Sequence, residues 1–106
     1  MDGLRRNSGN EGNAEVFLKG DCDLYNAPRF KTAMLEWIGD GDRRILIDMS
    51  GLRYIDSSGV GAIICILQAV KRVGGEVRFR GLGGSPRRVL ERTNILPLMK
   101  EALESA

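Results

Sequence analysis

The alternation of apolar and polar positions divides the chain into strand-like and helix-like segments. Short apolar runs predict strands at residues 14–19, 44–49 and 76–79. The unbroken Ile45-Leu46-Ile47 of the second run is typical of a central strand buried on both faces. Strands and helices alternate along the chain, and this order predicts an α/β domain whose small mixed sheet is mostly parallel.

About four helices are predicted to flank this sheet. The first begins after Asn26, a favourable N-cap residue, and buries a stripe consisting of Phe30, Ala33, Met34, Trp37 and Ile38. The second and longest covers residues 58–73 and ends at a glycine pair. A third covers residues 85–92, and a short last helix runs from Pro97 towards residue 106.

Length and composition indicate one globular domain. The chain has 106 residues, of which 42% are hydrophobic and 28% charged. We expect residues 14–106 to form the domain, and residues 1–13 to be a flexible arm or a weak edge strand around residues 4–6. No segment has the apolar core of a signal peptide or the length of a membrane span. No membrane partner is therefore expected, and the interpretation of both cysteines as free thiols predicts a cytoplasmic protein.

Charge and residue content exclude several function classes. A net charge of +2 with few aromatic residues does not favour a nucleic-acid partner. The chain has no histidine, the commonest general base and metal ligand, which argues against Ser-His-acid hydrolysis and most zinc sites. No catalytic residue, metal site or cofactor is expected. The two cysteines are expected to be free thiols, with Cys22 in a turn and Cys65 buried in the second helix.

The segment Tyr54-Ile55-Asp56-Ser57-Ser58-Gly59-Val60-Gly61 joins a strand to a helix and carries the most chemistry. A serine there can be a nucleophile, a helix cap or a modification site. A nucleophile elbow has glycine two residues before its serine, and this segment has none there. All three polar residues are good helix caps, but capping alone accounts for only one or two of them, and two helical glycines cost about 1 kcal/mol each relative to alanine. A backbone or a partner is therefore expected to approach closely.

Helical geometry aligns the serine with a candidate docking stripe. Ser57, Gly61, Ile64, Gln68 and Lys71 share one face of the second helix, and the predicted core stripe consists of Val60, Ile63, Leu67 and Val70. Ile64 is either covered by a neighbouring helix or an apolar anchor for a partner. Phosphorylation would add nearly two negative charges beside this stripe. The hypothesis is that the stripe binds a protein and that phosphate on Ser57 repels it.

Several blocks of the chain resemble the STAS domain of anti-sigma factor antagonists. They keep the family's order from about residue 14 to residue 96, and they include Gly20-Asp21-Cys22-Asp23, Ile47-Asp48-Met49-Ser50-Gly51-Leu52 and the serine segment. The resemblance implies that the unphosphorylated protein binds a GHKL-type kinase, which is an anti-sigma factor, and so frees a sigma factor. It also implies that the kinase phosphorylates Ser57 and that a PP2C-type phosphatase restores the free serine.

The resemblance thus describes a non-enzymatic binding module, expected to be a monomer or weak dimer. The predicted partner-binding residues are Asp23, Asp56, Ser57, Ser58, Gly59, Gly61, Ile64 and Gln68. Asp23 matches an acidic position near the serine in the family, although a simple turn residue would also fit. The family's final strand is shortened or absent here, because Ile95 runs directly into Leu96-Pro97.

Other functions stay open at this point. The same fold also serves in transport-associated complexes and in stress-signalling scaffolds. An enzyme could use Asp21, Asp23 and Asp56 to hold a metal if their two loops meet. An arginine cluster near residues 81–85 is either a phosphate site or a set of solvated surfaces, and it consists of Arg78, Arg80, Arg87, Arg88 and Arg92.

Overall fold

The computed structural model describes residues 3–99, which form one sheet and the helices packed against it. The strands are β1 (Gly3–Ser8), β2 (Asn13–Cys22), β3 (Arg44–Ile55) and β4 (Glu76–Arg80). The helices are α1 (Ala27–Gly39), α2 (Ser57–Arg72), α3 (Gly84–Arg92) and α4 (Leu96–Met99). The sheet order is β1-β2-β3-β4, with β1 antiparallel to β2 and the other pairs parallel. The predicted fold class is confirmed.

The helices bury one face of the sheet and leave the other open. Along β2, Ala14, Val16 and Leu18 are buried, whereas Glu15 and Lys19, which point to the other face, are exposed. The prediction that the central strand is buried on both faces is therefore wrong. Ile45 and Ile47 of β3 are buried, but Leu46 points to the open face and is only half-buried.

The helix stripes are largely as the periodicity predicts. Phe30, Met34 and Ile38 of α1 are buried. Trp37, predicted to lie in the core, is half-buried, because it lies at the edge of the core under the Arg6 guanidinium, which is 5.7 Å from a ring centroid. The core face of α2 is also displaced from the predicted stripe, since Ile66 is buried and Leu67 is half-buried.

The two cysteines exchange their predicted environments. Strand β2 is longer than predicted and ends at Cys22, whose inward side chain is 1% exposed. Burial raises the pKa of the Cys22 thiol to about 11. Cys65 lies on the solvent side of α2 and is exposed. Both thiols are free, as predicted.

Strands β1 and β4 lie at the edges of the sheet. Arg6 of β1 makes two hydrogen bonds to the buried Asp42 carboxylate, 2.8 and 2.6 Å long, which hold this strand against the turn before β3. After α3 the chain enters α4 with no intervening strand, so β4 is an edge in the part that the structure describes. The predicted extension of the last helix over residues 100–106 lies outside the described residues. Within residues 3–99, no helix combines the length and apolar character needed to cross a bilayer.

Candidate functional site

The turn after β2 and the start of α2 meet at one end of the sheet. Cys22 and Ile55 are register partners in neighbouring parallel strands. The backbone N–H of Asp56 continues this pairing by donating to the Cys22 carbonyl at 3.3 Å. The residues that follow the two strands are therefore neighbours, and this brings together Asp23 and Asp56, which are far apart in sequence.

Asp56 connects the two segments through its carboxylate. Oδ1 accepts hydrogen bonds from the backbone N–H groups of Ser58 (2.8 Å) and Gly59 (3.2 Å), which caps α2. Oδ2 accepts from the Leu24 N–H at 3.0 Å, across 32 positions of sequence. The cap of α2 is thus also the attachment point of the turn after β2.

Asp23 organises that turn internally. Its Oδ1 accepts from the backbone N–H groups of Tyr25 and Asn26, both at 3.0 Å. Asn26 occupies the N-cap position of α1, as predicted, but its side chain makes no capping bond and donates to the Asp21 carbonyl at 3.1 Å. Asp23 therefore has the role of a turn residue, in a turn that reaches the α2 cap through Leu24.

These contacts bear on the metal-dependent alternative. The two loops do meet, but the carboxylates of Asp23 and Asp56 accept backbone N–H groups. Across residues 3–99, no group of three or more Cys, Asp or Glu side chains is arranged to hold a metal ion. The geometry favours a structural use of both carboxylates.

The two serines of the segment have different environments. Ser57 is the first residue of α2 and is exposed to solvent. Ser58 is half-buried and lines a shallow depression of about 280 Å³ between α1 and α2, together with Lys31 and Gly61. Ser57 is thus the more exposed of the two serines.

The two glycines of the segment also differ. A Cβ atom at Gly59 would lie 2.4 Å from Cγ1 of Ile55 and 2.6 Å from the Cys22 carbonyl oxygen, so glycine is required for α2 to approach the strand ends. A Cβ at Gly61 would meet nothing within 4 Å. The close approach expected at both glycines is therefore internal at Gly59, whereas at Gly61 the space is open.

The docking stripe predicted on α2 is divided between two depressions. Gly61 lines the one beside α1, while Ile64, Leu67, Gln68 and Lys71 line another of about 240 Å³. Ile64 is half-buried and packs against the core, and Gln68 is exposed. Ile64 is thus partly covered, as one of the two interpretations predicts, and it also contributes to a surface depression, while its role as a partner anchor stays a prediction.

Three large exposed side chains at this end of the molecule were not among the predicted site residues. Leu24 is 64% exposed and Tyr25 is 84% exposed, and both lie in the turn that Asp23 organises. Tyr54, at the end of β3, is 45% exposed. The available signal was that two large apolar residues, Leu24 and Tyr25, directly follow the predicted turn at Cys22 and belong to no helical or strand period.

Three of the five arginines in the cluster pair with carboxylates. Arg80 pairs with Asp48 at 3.0 Å and with Glu15 at 3.4 Å on the open face of the sheet. Partial burial would raise the pKa of Asp48, but hydrogen bonds from Ser50 and Arg80 outweigh it and hold that pKa below its usual value. Arg78 and Arg87 pair with Glu76 and Glu91. These contacts favour solvated surfaces over a phosphate site.

A sequence profile of the STAS domain family matches residues 6–106. The chain is 28% identical over 85 residues to a protein named anti-sigma-B factor antagonist from Staphylococcus aureus (strain NCTC 8325 / PS 47), covering 80% of this chain and 79% of that protein. The resemblance predicted from the sequence is confirmed.

Solved structures share the fold. A Thermotoga maritima protein described as a candidate anti-sigma factor antagonist superposes with a TM-score of 0.85 at 20% identity, over 97% of this chain and 86% of that one. The Bacillus cell fate determinant SpoIIAA in its phosphorylated form superposes with a TM-score of 0.77 at 17% identity, over 98% of this chain and 91% of that one. At these identities the structures establish the fold.

Proposed function

Because this chain belongs to the STAS domain family, we propose that it is an anti-sigma factor antagonist switched by phosphorylation of Ser57. Its relative in Staphylococcus aureus carries the name anti-sigma-B factor antagonist, and SpoIIAA has been solved in a phosphorylated form. In the unphosphorylated state this chain binds an anti-sigma factor and frees a sigma factor. With phosphate on Ser57 it no longer binds.

The exposure of Ser57 at the start of α2 is the observation that supports this proposal most. The hydroxyl is open to an enzyme, while Asp56 already caps the helix through the Ser58 and Gly59 amides. Phosphate can therefore be added without removing a structural contact. The helix N-terminus accommodates its charge within this chain, whereas a partner docked over the site faces nearly two added negative charges beside the Asp56 carboxylate.

The proposed partners follow from the same mechanism. A GHKL-type serine kinase, which is itself the anti-sigma factor, supplies the phosphate from ATP, and a PP2C-type phosphatase removes it. All three proteins meet in the cytoplasm. The proposed partner-binding surface combines the turn at Asp23, the segment from Asp56 to Gly61, and the exposed side of α2 at Ile64 and Gln68. The kinase and the phosphatase catalyse the addition and removal of phosphate, and this chain supplies the surface to which they bind.

The test is to incubate the protein and ATP with each GHKL-type kinase from its own genome, and to map phosphate by mass spectrometry. We expect stoichiometric phosphate on Ser57, abolished in Ser57→Ala and retained in the matched variant Ser58→Ala. Phosphate on Ser58 alone would contradict the assignment of the site. No phosphate with any such kinase would overturn the proposal and favour the transport-associated or scaffold alternative, which the comparisons do not support better.

A further inference from the structure

We infer that Leu24 and Tyr25, here called the exposed pair, insert into an apolar pocket of the anti-sigma factor and supply much of the binding energy. This inference rests on the proposed function and adds to it the residues that anchor the partner. It also states the chemistry of the complementary surface, which is a pocket that accepts an aromatic ring and a neighbouring aliphatic side chain.

The position of the exposed pair is the first argument. Scattered apolar residues are normal on a protein surface and need no explanation. Among the large apolar side chains of residues 3–99 that are exposed, however, Leu24, Tyr25 and Tyr54 lie at the strand ends that carry Ser57, whereas Leu35 and Val73 lie elsewhere. The exposed pair is therefore continuous with the surface proposed to bind the partner.

The backbone beneath the pair is the second argument. Every backbone N–H from Leu24 to Ala27 donates a hydrogen bond within the chain. Leu24 donates to Asp56 at 3.0 Å, Tyr25 and Asn26 donate to the Asp23 carboxylate, and Ala27 donates to the Asp23 carbonyl at 2.8 Å. Two large side chains are thus presented on a turn that is already ordered. Binding through them avoids the cost of ordering a loop.

Residue type is the third argument and ranks the two side chains. Tyrosine is enriched among the residues that dominate protein interfaces, whereas leucine is under-represented there. Tyr25 is also the more exposed of the two, at 84% against 64%. We therefore expect Tyr25 to contribute more binding energy than Leu24.

Connection to the cap of α2 links the pair to the switch. The Leu24 N–H and the amides of Ser58 and Gly59 share the two oxygens of one Asp56 carboxylate, and Asp56 directly precedes Ser57. A partner seated on the pair is consequently held over Ser57. The kinase then uses the same contact when it binds the antagonist and when it phosphorylates it.

The test uses full-length protein and the kinase that phosphorylates Ser57, with affinity measured by calorimetry for Tyr25→Ser and Leu24→Ser. We expect at least about tenfold weaker binding for Tyr25→Ser and about threefold for Leu24→Ser, with Tyr25→Phe close to wild type. The matched controls are Leu35→Ser and Val73→Ser, which remove exposed apolar side chains elsewhere and should change affinity by less than about twofold. Urea unfolding of each variant checks that the fold is kept.

Phosphorylation kinetics provide a second readout. Because the exposed pair lies outside the reacting group, its loss should raise KM for phosphorylation of Ser57 and leave kcat unchanged. A fall in kcat with KM unchanged would overturn the assignment of an anchoring role.

Failures of the two proposals are distinguishable. If Ser57→Glu abolishes binding while Tyr25→Ser and Leu24→Ser bind like wild type, the anchoring role of the exposed pair is overturned. The proposed regulation by phosphorylation of Ser57 is then retained. If wild type and Ser57→Glu bind equally, or no kinase binds the wild type, the proposed function fails and the inference fails with it. If sedimentation shows dimers that Tyr25→Ser dissociates, with kinase affinity unchanged, the pair contacts a second copy of this chain, and the inference is again overturned.

Discussion

The two ends of the sheet use charged and aromatic side chains in opposite ways. At the end where β3 begins, the Asp42 carboxylate is buried against Arg6, and the Arg6 guanidinium also covers Trp37. At the end where β3 finishes, the Asp56 carboxylate accepts hydrogen bonds from backbone N–H groups, and Tyr25 is 84% exposed. The first end closes the core, whereas the second keeps contact area free on an ordered backbone, which is what a binding surface requires.

The largest effect on stability is expected at the end of the sheet where β3 finishes, here called the open end. At this end α2 contacts the strand ends. In Gly59→Ala the new Cβ would lie 2.4 Å from Cγ1 of Ile55 and 2.6 Å from a backbone oxygen. Overpacking of this kind costs about 3 kcal/mol in the free energy of unfolding. Urea unfolding measures it, and an unchanged midpoint would show that the contact between α2 and the strands is not as tight as described.

The end of the sheet where β3 begins is here called the closed end. Disrupting it should lower the free energy of unfolding without weakening the binding of the partner. In Arg6→Ala the Asp42 carboxylate loses its partner while 6% exposed, and Trp37 loses its cover. Loss of one partner of a buried pair costs about 3–5 kcal/mol, and because the Arg6 side chain is 26% exposed we expect about 2 kcal/mol.

Arg5→Ala is the matched control on the same strand, since exposed Arg5 only stacks on Phe17 at 4.5 Å and should contribute less than about 1 kcal/mol. Equal losses of stability in the two variants, or weaker partner binding in Arg6→Ala when measured on folded protein, would contradict the division of roles between the two ends.

Gly61→Ala should separate binding from stability within the open end. A methyl group at Gly61 meets nothing within 4 Å, so the helix gains up to about 1 kcal/mol of stability from the better helix former. The same methyl group occupies the depression between α1 and α2 beside Ser58, and affinity for the kinase should fall. Unfolding and binding are measured on the same preparation. A more stable variant that binds like wild type would remove Gly61 from the proposed surface.

The smallest effect is expected on the open face of the sheet, from Asp48. Its pKa lies below the usual value, because hydrogen bonds from Ser50 and Arg80 outweigh the opposing effect of burial. A lowered pKa in the folded state adds stability above the unfolded value of about 3.9, and this is lost as pH falls through the folded pKa. The wild type should therefore lose more stability than Asp48→Asn between about pH 5 and pH 2. Parallel stability curves would contradict this.

Elements with a strong local period could be predicted from the sequence. The second helix was predicted over residues 58–73 and occupies Ser57–Arg72, because its apolar spacing and the glycine pair after it are local signals. Strand β3 was predicted to end at residue 49 and continues to Ile55. Ser50-Gly51 reads locally as a turn, but β3 continues through it. Gly51 pairs with Lys19 of β2 after a register shift, which only the tertiary structure provides.

The candidate site was predictable in its residues but not in its contacts. Ser57 and Asp56 stand out in a polar segment between two apolar runs. The bond from Leu24 to Asp56 spans 32 positions and depends on the parallel pairing of β2 and β3. The environments of Cys22 and Cys65 also depend on tertiary structure. Their exposure is decided by which face of β2 or α2 meets the core.

Phosphorylation at the open end is the central claim, and one paired measurement tests it most directly. The affinity of one GHKL-type kinase is measured by calorimetry for the unmodified protein and for protein fully phosphorylated on Ser57, and both forms are unfolded in urea. Nearly two added charges that lose solvent at an interface without a compensating partner cost several kcal/mol, so we expect phosphorylation to weaken binding by about 100-fold or more, with stability changed by less than about 1 kcal/mol. Equal affinity of the two forms, or weaker binding that accompanies partial unfolding, would contradict the account.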